Sequence, residues 1–227
     1  MGLGMHLFSM RGAWGAGISF LYDLVVAGGL AELYDELVGF FFAELPAGCR
    51  VLDLGCGSGQ VSIRVAKLNP QAQVVGVDLS PRQIARATKR GAGLPNLTFS
   101  IGDALNLALP DEHFDFVLSL ASIKHWPDPV RGLREMLRVC KTGGRAYVIE
   151  VNTRCTVDEA RNFTNRWRYV LPGARPIVRW HFHRFVAGQG TNADELAGLM
   201  RASGMNEVYV QPIPGQPLLI ATGEKTV

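Results

Sequence analysis

Three aspartates stand where apolar runs end, and the first opens a glycine run: Val51-Leu52-Asp53-Leu54-Gly55-Cys56-Gly57-Ser58-Gly59. A strand that runs into glycines and turns into a helix lets a ligand come close to the backbone, because no Cβ stands in the way. The spacing decides which ligand. A dinucleotide fingerprint needs G-x-G-x-x-G, but Gln60 occupies the place of the third glycine, which arrives one residue early at Gly59. A P-loop needs Gly-Lys-Ser or Gly-Lys-Thr, and no lysine occurs between Arg50 and Lys67. Asp53 would repel a pyrophosphate but suits a cationic amino group. Asp78 ends the next apolar run, where a carboxylate can accept both hydroxyls of a ribose. Asp103, in Ile101-Gly102-Asp103-Ala104, could accept from an adenine amino group. The three acids fit a ligand with an amino-acid end, a ribose, an adenine and no phosphate.

Around these, the other reactive side chains are sparse. The cysteines, Cys49, Cys56, Cys140 and Cys155, have no C-x-x-C spacing and no nearby histidine pair, so no metal is expected. So few cysteines in a chain of this size need no disulfide framework, and a reducing, cytoplasmic setting is expected. From Arg154 to Arg184 arginines outnumber acids by five, which suits an anionic small acceptor, RNA or a solvated face. His181 and His183 would share one side of the chain if Trp180–Arg184 were extended.

The elements that must hold these residues read as an alternation. Leu30, Leu33, Tyr34, Leu37, Val38 and Phe41 form a helical stripe broken by Pro46, Ala47 and Gly48. Strands are expected at Arg50–Leu54, Val74–Val77, Leu97–Ile101, Phe114–Ser119 and Arg145–Val151. Helices are expected at Gln60–Asn69, from a complete capping box at Ser80-Pro81-Arg82-Gln83, and from Asp128 to the stop at Gly143 and Gly144, with Val130, Leu133 and Leu137 inward. Near-continuous apolar strands alternating with helices mean a parallel sheet covered on both faces. The tail departs from this: a helix over Thr156–Leu171, an irregular Leu171–Gly190, a helix over Asn192–Ala202, then strands Asn206–Gln211 and Leu218–Thr222 around three prolines.

In 227 residues, 48% hydrophobic and 19% charged, there is material for one large domain and its core, which excludes disorder; a surplus of 23 basic over 20 acidic residues does not announce nucleic acid. Asp23 stops the apolar segment Gly12–Tyr22 at eleven residues, and Glu32, Asp35 and Glu36 follow, so no transmembrane span and no cleaved signal are expected.

S-adenosylmethionine has the composition that the three acids suit. The stretch from about Arg50 to Val151 resembles a class I S-adenosylmethionine-dependent methyltransferase: the acid-x-Gly-x-Gly-x-Gly run at Asp53–Gly59, Val77-Asp78-Leu79-Ser80 and the Gly102-Asp103-Ala104 step occur in the family's order. His125-Trp126-Pro127-Asp128 and Lys141-Thr142-Gly143-Gly144 are similar to the branch of quinone-biosynthesis C-methylases and small-molecule methyltransferases. The resemblance implies an α/β, doubly wound Rossmann-like fold of three layers, its seven-stranded sheet ordered 3-2-1-4-5-7-6 with the last strand antiparallel. It implies Gly55 and Gly57 against the methionine portion, Asp53 by its amino group, Asp78 on ribose, Leu79 on adenine, Asp103 with Ala104 at the adenine edge, and the backbone at Ser119 closing the pocket.

In this fold the loop after the fourth strand faces the methyl group, so His125 is the expected base and Trp126 a wall of the acceptor pocket. Trp167, Trp180, His181 and His183 are expected at the substrate, in an acceptor-specificity insert of about 152–205. Residues 1–45 are expected to be a helical lid over a methyltransferase domain at 46–227, with Tyr22 reaching the ligands. The acceptor expected is a small, partly apolar molecule methylated by in-line displacement; an RNA or protein substrate and a non-catalytic cofactor-binding protein are the alternatives. The residues leave a homodimer open.

Overall fold

The computed structural model describes residues 31–42, 45–167, 170, 172–182 and 187–226. Seven strands, β1 (Arg50–Leu54), β2 (Gln73–Asp78), β3 (Leu97–Ile101), β4 (Phe114–Leu120), β5 (Cys140–Val151), β6 (Asn206–Pro212) and β7 (Leu218–Glu224), form one sheet in the order β3-β2-β1-β4-β5-β7-β6. The first five neighbours pair in parallel, whereas β7 runs antiparallel to both β5 and β6. This is the doubly wound order expected from the sequence.

Helices α1 (Ala31–Phe42), α2 (Gln60–Leu68), α3 (Pro81–Arg90), α4 (Pro129–Val139), α5 (Val157–Asn165), α6 (Arg175–His181) and α7 (Ala193–Ala202) follow or precede the strands. Alternation along each strand divides the core in two. Val51, Phe116, Leu118, Tyr147 and Ile149 pack with α1, α2 and α5, whereas Leu52, Val117, Ala146 and Val148 pack with Leu133 and Met136 of α4 and Leu196 and Met200 of α7. The expected stripe of α1 is buried at Leu33, Tyr34, Leu37 and Val38, and Asp35 pairs with Arg64 of α2 at 2.6 Å. The described part of residues 1–45 is thus joined to the main core, and Tyr22 lies outside the described residues.

Four local expectations are corrected. The capping box at Ser80 is half made: Ser80 Oγ accepts from the Gln83 N–H at 3.4 Å, but Gln83 Oε1 is buried without a partner. Gly143 and Gly144 do not stop α4; that helix ends at Val139, and both glycines lie inside β5, Gly143 at φ 76. Leu137 packs partly buried against the core, as expected, with Met136 fully buried beside it. The helix expected over Thr156–Leu171 ends at Asn165, opened by a full Thr156–Glu159 capping box, and the stretch expected to be irregular contains α6. Arg175-Pro176 starts that helix because proline is preorganised for the first helical turn.

Candidate functional site

The loop leaving β1 needs its glycines for two different reasons. Gly55, Gly57 and Gly59 take φ values of 76, 53 and 81, the left-handed region where a side chain is strained. A Cβ on Gly55 would also fall 2.0 Å from Ser122 Oγ, so the β1 loop and the loop after β4 touch there. A Cβ on Gly57 would meet nothing, which leaves that backbone open to a ligand.

Two carboxylates hold this loop. Asp78, at the end of β2, accepts from the Gly57 N–H at 2.9 Å and, through its other oxygen, from the Ser80 N–H at 2.8 Å. Burial pushes its carboxyl up and the two N–H groups pull it back. Asp53 is 2% exposed, and its Oδ2 accepts from Ser62 Oγ at 2.5 Å and the Ser62 N–H at 3.2 Å. Burial pushes its carboxyl up to about 6, Ser62 pulls it back, and the charge of Asp78 raises it further. Among the described residues neither acid is neutralised by an ion pair. A buried and a half-buried acid without a cation are costly unless a positive group joins them, so this pair of acceptors fits an ammonium group.

The rest of this edge is open. Leu79 is 48% exposed beside Asp78, a large apolar side chain at the mouth of the loop. Asp103 is exposed and turns one oxygen to the Leu105 N–H at 2.9 Å, and Ala104 beside it is half-buried. The ends of β1, β2 and β3 therefore present Asp53, Asp78 with Leu79, and Asp103 with Ala104 along one edge of the sheet, the arrangement expected from the sequence.

Across Gly55 lies the end of β4. Ala121 turns the chain with φ 52 while its N–H donates to Ile149 O at 2.7 Å, and a 3-10 turn follows at Ile123–His125. Trp126 is buried among Ile123, Leu133 and Met136 and donates its indole N–H to Ser122 Oγ at 3.1 Å. A Cβ on Gly132 would come 2.3 Å from its ring, so α4 is shaped to receive it. Trp126 thus fixes the loop, and His125 closes the 3-10 turn beside it.

Sequence reasoning missed two groups here. Glu150, near the end of β5, is 1% exposed and its Oε1 has no hydrogen-bond partner. Burial pushes its carboxyl up, with Lys124 and the N–H groups of Val151, Lys124 and Ile123 opposing. Lys124, in the 3-10 turn, is pushed down by burial and drawn back up by Glu150. Ser119, singled out for its backbone, has a buried Oγ that is also unpartnered. The signal for Glu150 was available: a carboxylate inside the apolar run Ala146-Tyr147-Val148-Ile149-Glu150-Val151.

The insert after β5 is built on aromatic packing. Phe163, Trp167 and Phe182 form a ring cluster with centroids 5.0 to 6.2 Å apart. Trp180 stands 62% exposed on α6. His181 is helical, so the extended geometry that would align it with His183 is absent; the His181 side chain and His183 are outside the described residues. Most of the described arginines of the tract are engaged: Arg161 with Asp158 at 2.9 Å, Arg154 with Asp194 at 3.6 Å, Arg166 with Glu36 at 3.5 Å and Arg175 with Asn165. Among the described residues no three His, Cys, Asp or Glu side chains are grouped as a metal set, and no helix is long and apolar enough to cross a membrane.

A glycine loop held by acids at the ends of β1 and β2, on a seven-stranded sheet of this order, defines a class I S-adenosylmethionine-dependent methyltransferase fold. The chain belongs to that family: residues 45–175 match the methyltransferase domain. It is 30% identical over 190 residues to the ubiquinone/menaquinone biosynthesis C-methyltransferase of Geobacter sulfurreducens, covering 78% of this chain and 73% of that one. It is 32% identical over 166 residues to the 2-methyl-6-phytyl-1,4-hydroquinone methyltransferase of Synechocystis, covering 73% of this chain but only 49% of that protein, about half its length. The crystal structure of a methyltransferase from Aquifex aeolicus shares the fold, with TM-score 0.64 at 17% identity over 89% of this chain and 91% of that one. S-adenosyl-L-methionine is the cofactor that family and fold imply.

Proposed function

We propose that this chain transfers a methyl group from S-adenosyl-L-methionine to a small, partly apolar acceptor. The observation that carries the reading is the buried Asp53 and half-buried Asp78 beside an open glycine loop, two acids with no cation paired to them among the described residues. Asp53 would stand by the amino group of the cofactor, Gly55 and Gly57 against its methionine portion, and Asp78 at its ribose. Leu79 would cover the adenine, with Asp103 and Ala104 at its edge. The sulfonium supplies an already activated methyl group. The protein's part is then to align acceptor and donor and to keep water out.

Two relatives named for hydroquinone and quinone substrates support an apolar, hydroxylated acceptor, and the ring cluster of Phe163, Trp167 and Phe182 supports an apolar insert at about 152–205. The four buried cysteines, none in a disulfide, suit the reducing cytoplasm. Because α1 belongs to the core, a lid would be confined to residues before it. Deleting residues 1–20 should then lower turnover or cofactor affinity and leave the sheet folded. Calorimetry with S-adenosylmethionine, S-adenosylhomocysteine and NAD tests the reading as a whole. Binding of the first two and not the third is expected; tight NAD binding with no response to the sulfonium would overturn it.

A further inference from the structure

The end of β5 carries a buried carboxylate with one oxygen left unpartnered. The residues around Glu150 on the strand are Tyr147, Val148, Ile149 and Val151, all buried, and an apolar residue of the same size would fill the position without the cost of desolvating a charge. The carboxylate has some local work, since Oε2 accepts from the Val151 N–H at 3.3 Å and the N–H groups of Ile123 and Lys124 at the start of the 3-10 turn also favour its charge. Oε1 has no partner.

A second orphan lies on the same face of the sheet. Ser119 stands two residues beyond Val117, and Glu150 two beyond Val148; Val117 and Val148 belong to the same half of the core, so alternation puts Ser119 and Glu150 on that side. Ser119 pairs in register with Val148 on the neighbouring strand, one strand spacing away. The Ser119 hydroxyl is buried and unpartnered too. Lys124, from the 3-10 turn above, is the cation that Glu150 feels, yet the two make no direct ion pair. Two buried, unpartnered polar atoms near the C-terminal ends of adjacent parallel strands lie at the end of the sheet where ligands bind in open α/β folds.

We infer that Glu150 takes the proton that the acceptor loses, with Ser119 orienting the acceptor's polar atom and Lys124 holding the carboxylate's charge in place. This rests on the methyltransferase reading. As the acceptor's hydroxyl, amine or acidic C–H bond breaks, its proton passes to Glu150 Oε1 and its electron pair forms the bond to the methyl carbon. The bond from methyl to sulfur breaks, its pair stays on sulfur, and the protonated Glu150 releases its proton to water after the product departs. His125 is then a neighbour of the acceptor and not its base.

The test uses the full chain with three measurements: calorimetry of S-adenosylhomocysteine binding, thermal melting, and methylation of methylhydroquinone and of 4-nitrophenol, which sheds its own proton near neutral pH. For Glu150→Gln we expect unchanged S-adenosylhomocysteine affinity and melting at or above the parent. Turnover of methylhydroquinone should fall by roughly 10²-fold or more, the scale of a lost general base, with a much smaller fall for 4-nitrophenol. Glu150→Leu should melt higher than the parent, because a carboxylate kept for function is a burden on the fold. Retained turnover in Glu150→Gln, or an equal loss with both phenols, would overturn the assignment. If neither phenol is methylated, melting decides: a lower melting point for Glu150→Leu makes the carboxylate structural and ends the proposal, and a higher one upholds it. A parent chain that binds no S-adenosylhomocysteine would overturn the methyltransferase reading instead, and the melting comparison would still decide the role of the carboxylate.

Discussion

The two halves of the edge where the parallel strands end are built by different means. On the side of β1, β2 and β3, the site is made of backbone: glycines at positive φ, N–H groups donated to Asp78, and acids at strand ends. On the side of β4 and β5 it is made of packed side chains: Trp126 against Gly132 and the buried, unpartnered atoms of Ser119 and Glu150, with the Phe163, Trp167 and Phe182 rings of the insert in the other half of the core. Backbone devices demand particular residue types, so they are conspicuous in a sequence. Packing accepts many solutions, so it can vary with the acceptor while the first half keeps one cofactor.

Gly55 is where the halves meet, and changing it should have the largest effect. Gly55→Ala places a Cβ against both Ser122 Oγ and Ser122 Cβ at a φ of 76. Overpacking of this kind costs roughly 1 to 3 kcal/mol and the left-handed alanine about 1 to 2 more. Urea denaturation should show a loss of about that sum, together with loss of cofactor binding. Adding Ser122→Gly should recover the steric part and leave the backbone part. A double variant as unstable as Gly55→Ala alone would mean that the two loops do not press on each other.

Next in size is the pH dependence from Asp53. Its carboxyl, at about 6 in the folded chain against an ordinary 3.8, loses its proton more readily when unfolded. The protonated form therefore favours folding: this group's destabilising effect is absent below about pH 4, grows as pH rises to about 6, and levels off near 3 kcal/mol. Asp53→Asn should remove that dependence, so the difference in stability between variant and parent should widen between those pH values and then stay constant. The same substitution should weaken S-adenosylhomocysteine binding, because an ammonium would lose its buried anion. A stabilised variant that binds the cofactor as well as the parent would take Asp53 out of the ligand site and leave it as a clamp on Ser62.

How far each half could be read in advance follows from the same contrast. The positions of Asp53, Asp78 and Asp103 and the N-caps at Asp128 and Asn192 rest on local patterns of a few residues, the strand order follows from the family resemblance those patterns carry, and the structure reproduces them. The start of β5 at Cys140 was hidden because Gly143 and Gly144 imitate a helix stop, whereas cross-strand bonds carry the chain through them; Gly143 N–H donates to Lys225 O at 2.7 Å. The helix α6 was hidden because seven residues are too few for a periodic signal. Trp126 is an aromatic whose burial depends on a glycine in another element, a relation that spacing does not encode.

Asp78→Ala gives a smaller effect, confined to the cofactor half. It removes the acceptor of the Gly57 and Ser80 N–H groups, and the S-adenosylmethionine affinity should fall by on the order of 1 to 3 kcal/mol, the range for hydrogen bonds to a charged group. Ser119 and Glu150 hold their places through β4 and β5 pairing, so the fold of the acceptor half should be untouched. Unchanged affinity would remove Asp78 from the site.

Trp180 should give the smallest change, and it separates two kinds of aromatic residue in the insert. Trp167 packs edge-on against Phe163 and Phe182, so truncating it empties a cluster, and Trp167→Ala should cost up to about 3 kcal/mol, the lower end for a fully buried tryptophan, because it is only partly enclosed. Trp180 is 62% exposed, so Trp180→Ala should change stability by less than about 0.5 kcal/mol. An exposed indole contributes to turnover only if the acceptor reaches it. If α6 lines the acceptor's path, Trp180→Ala should raise KM for an apolar acceptor severalfold with kcat and the melting point unchanged. If the acceptor lies wholly at the ends of β4 and β5, the variant should match the parent in every measurement, and Trp180 would be a surface residue that aromatic character alone had drawn into the predicted pocket.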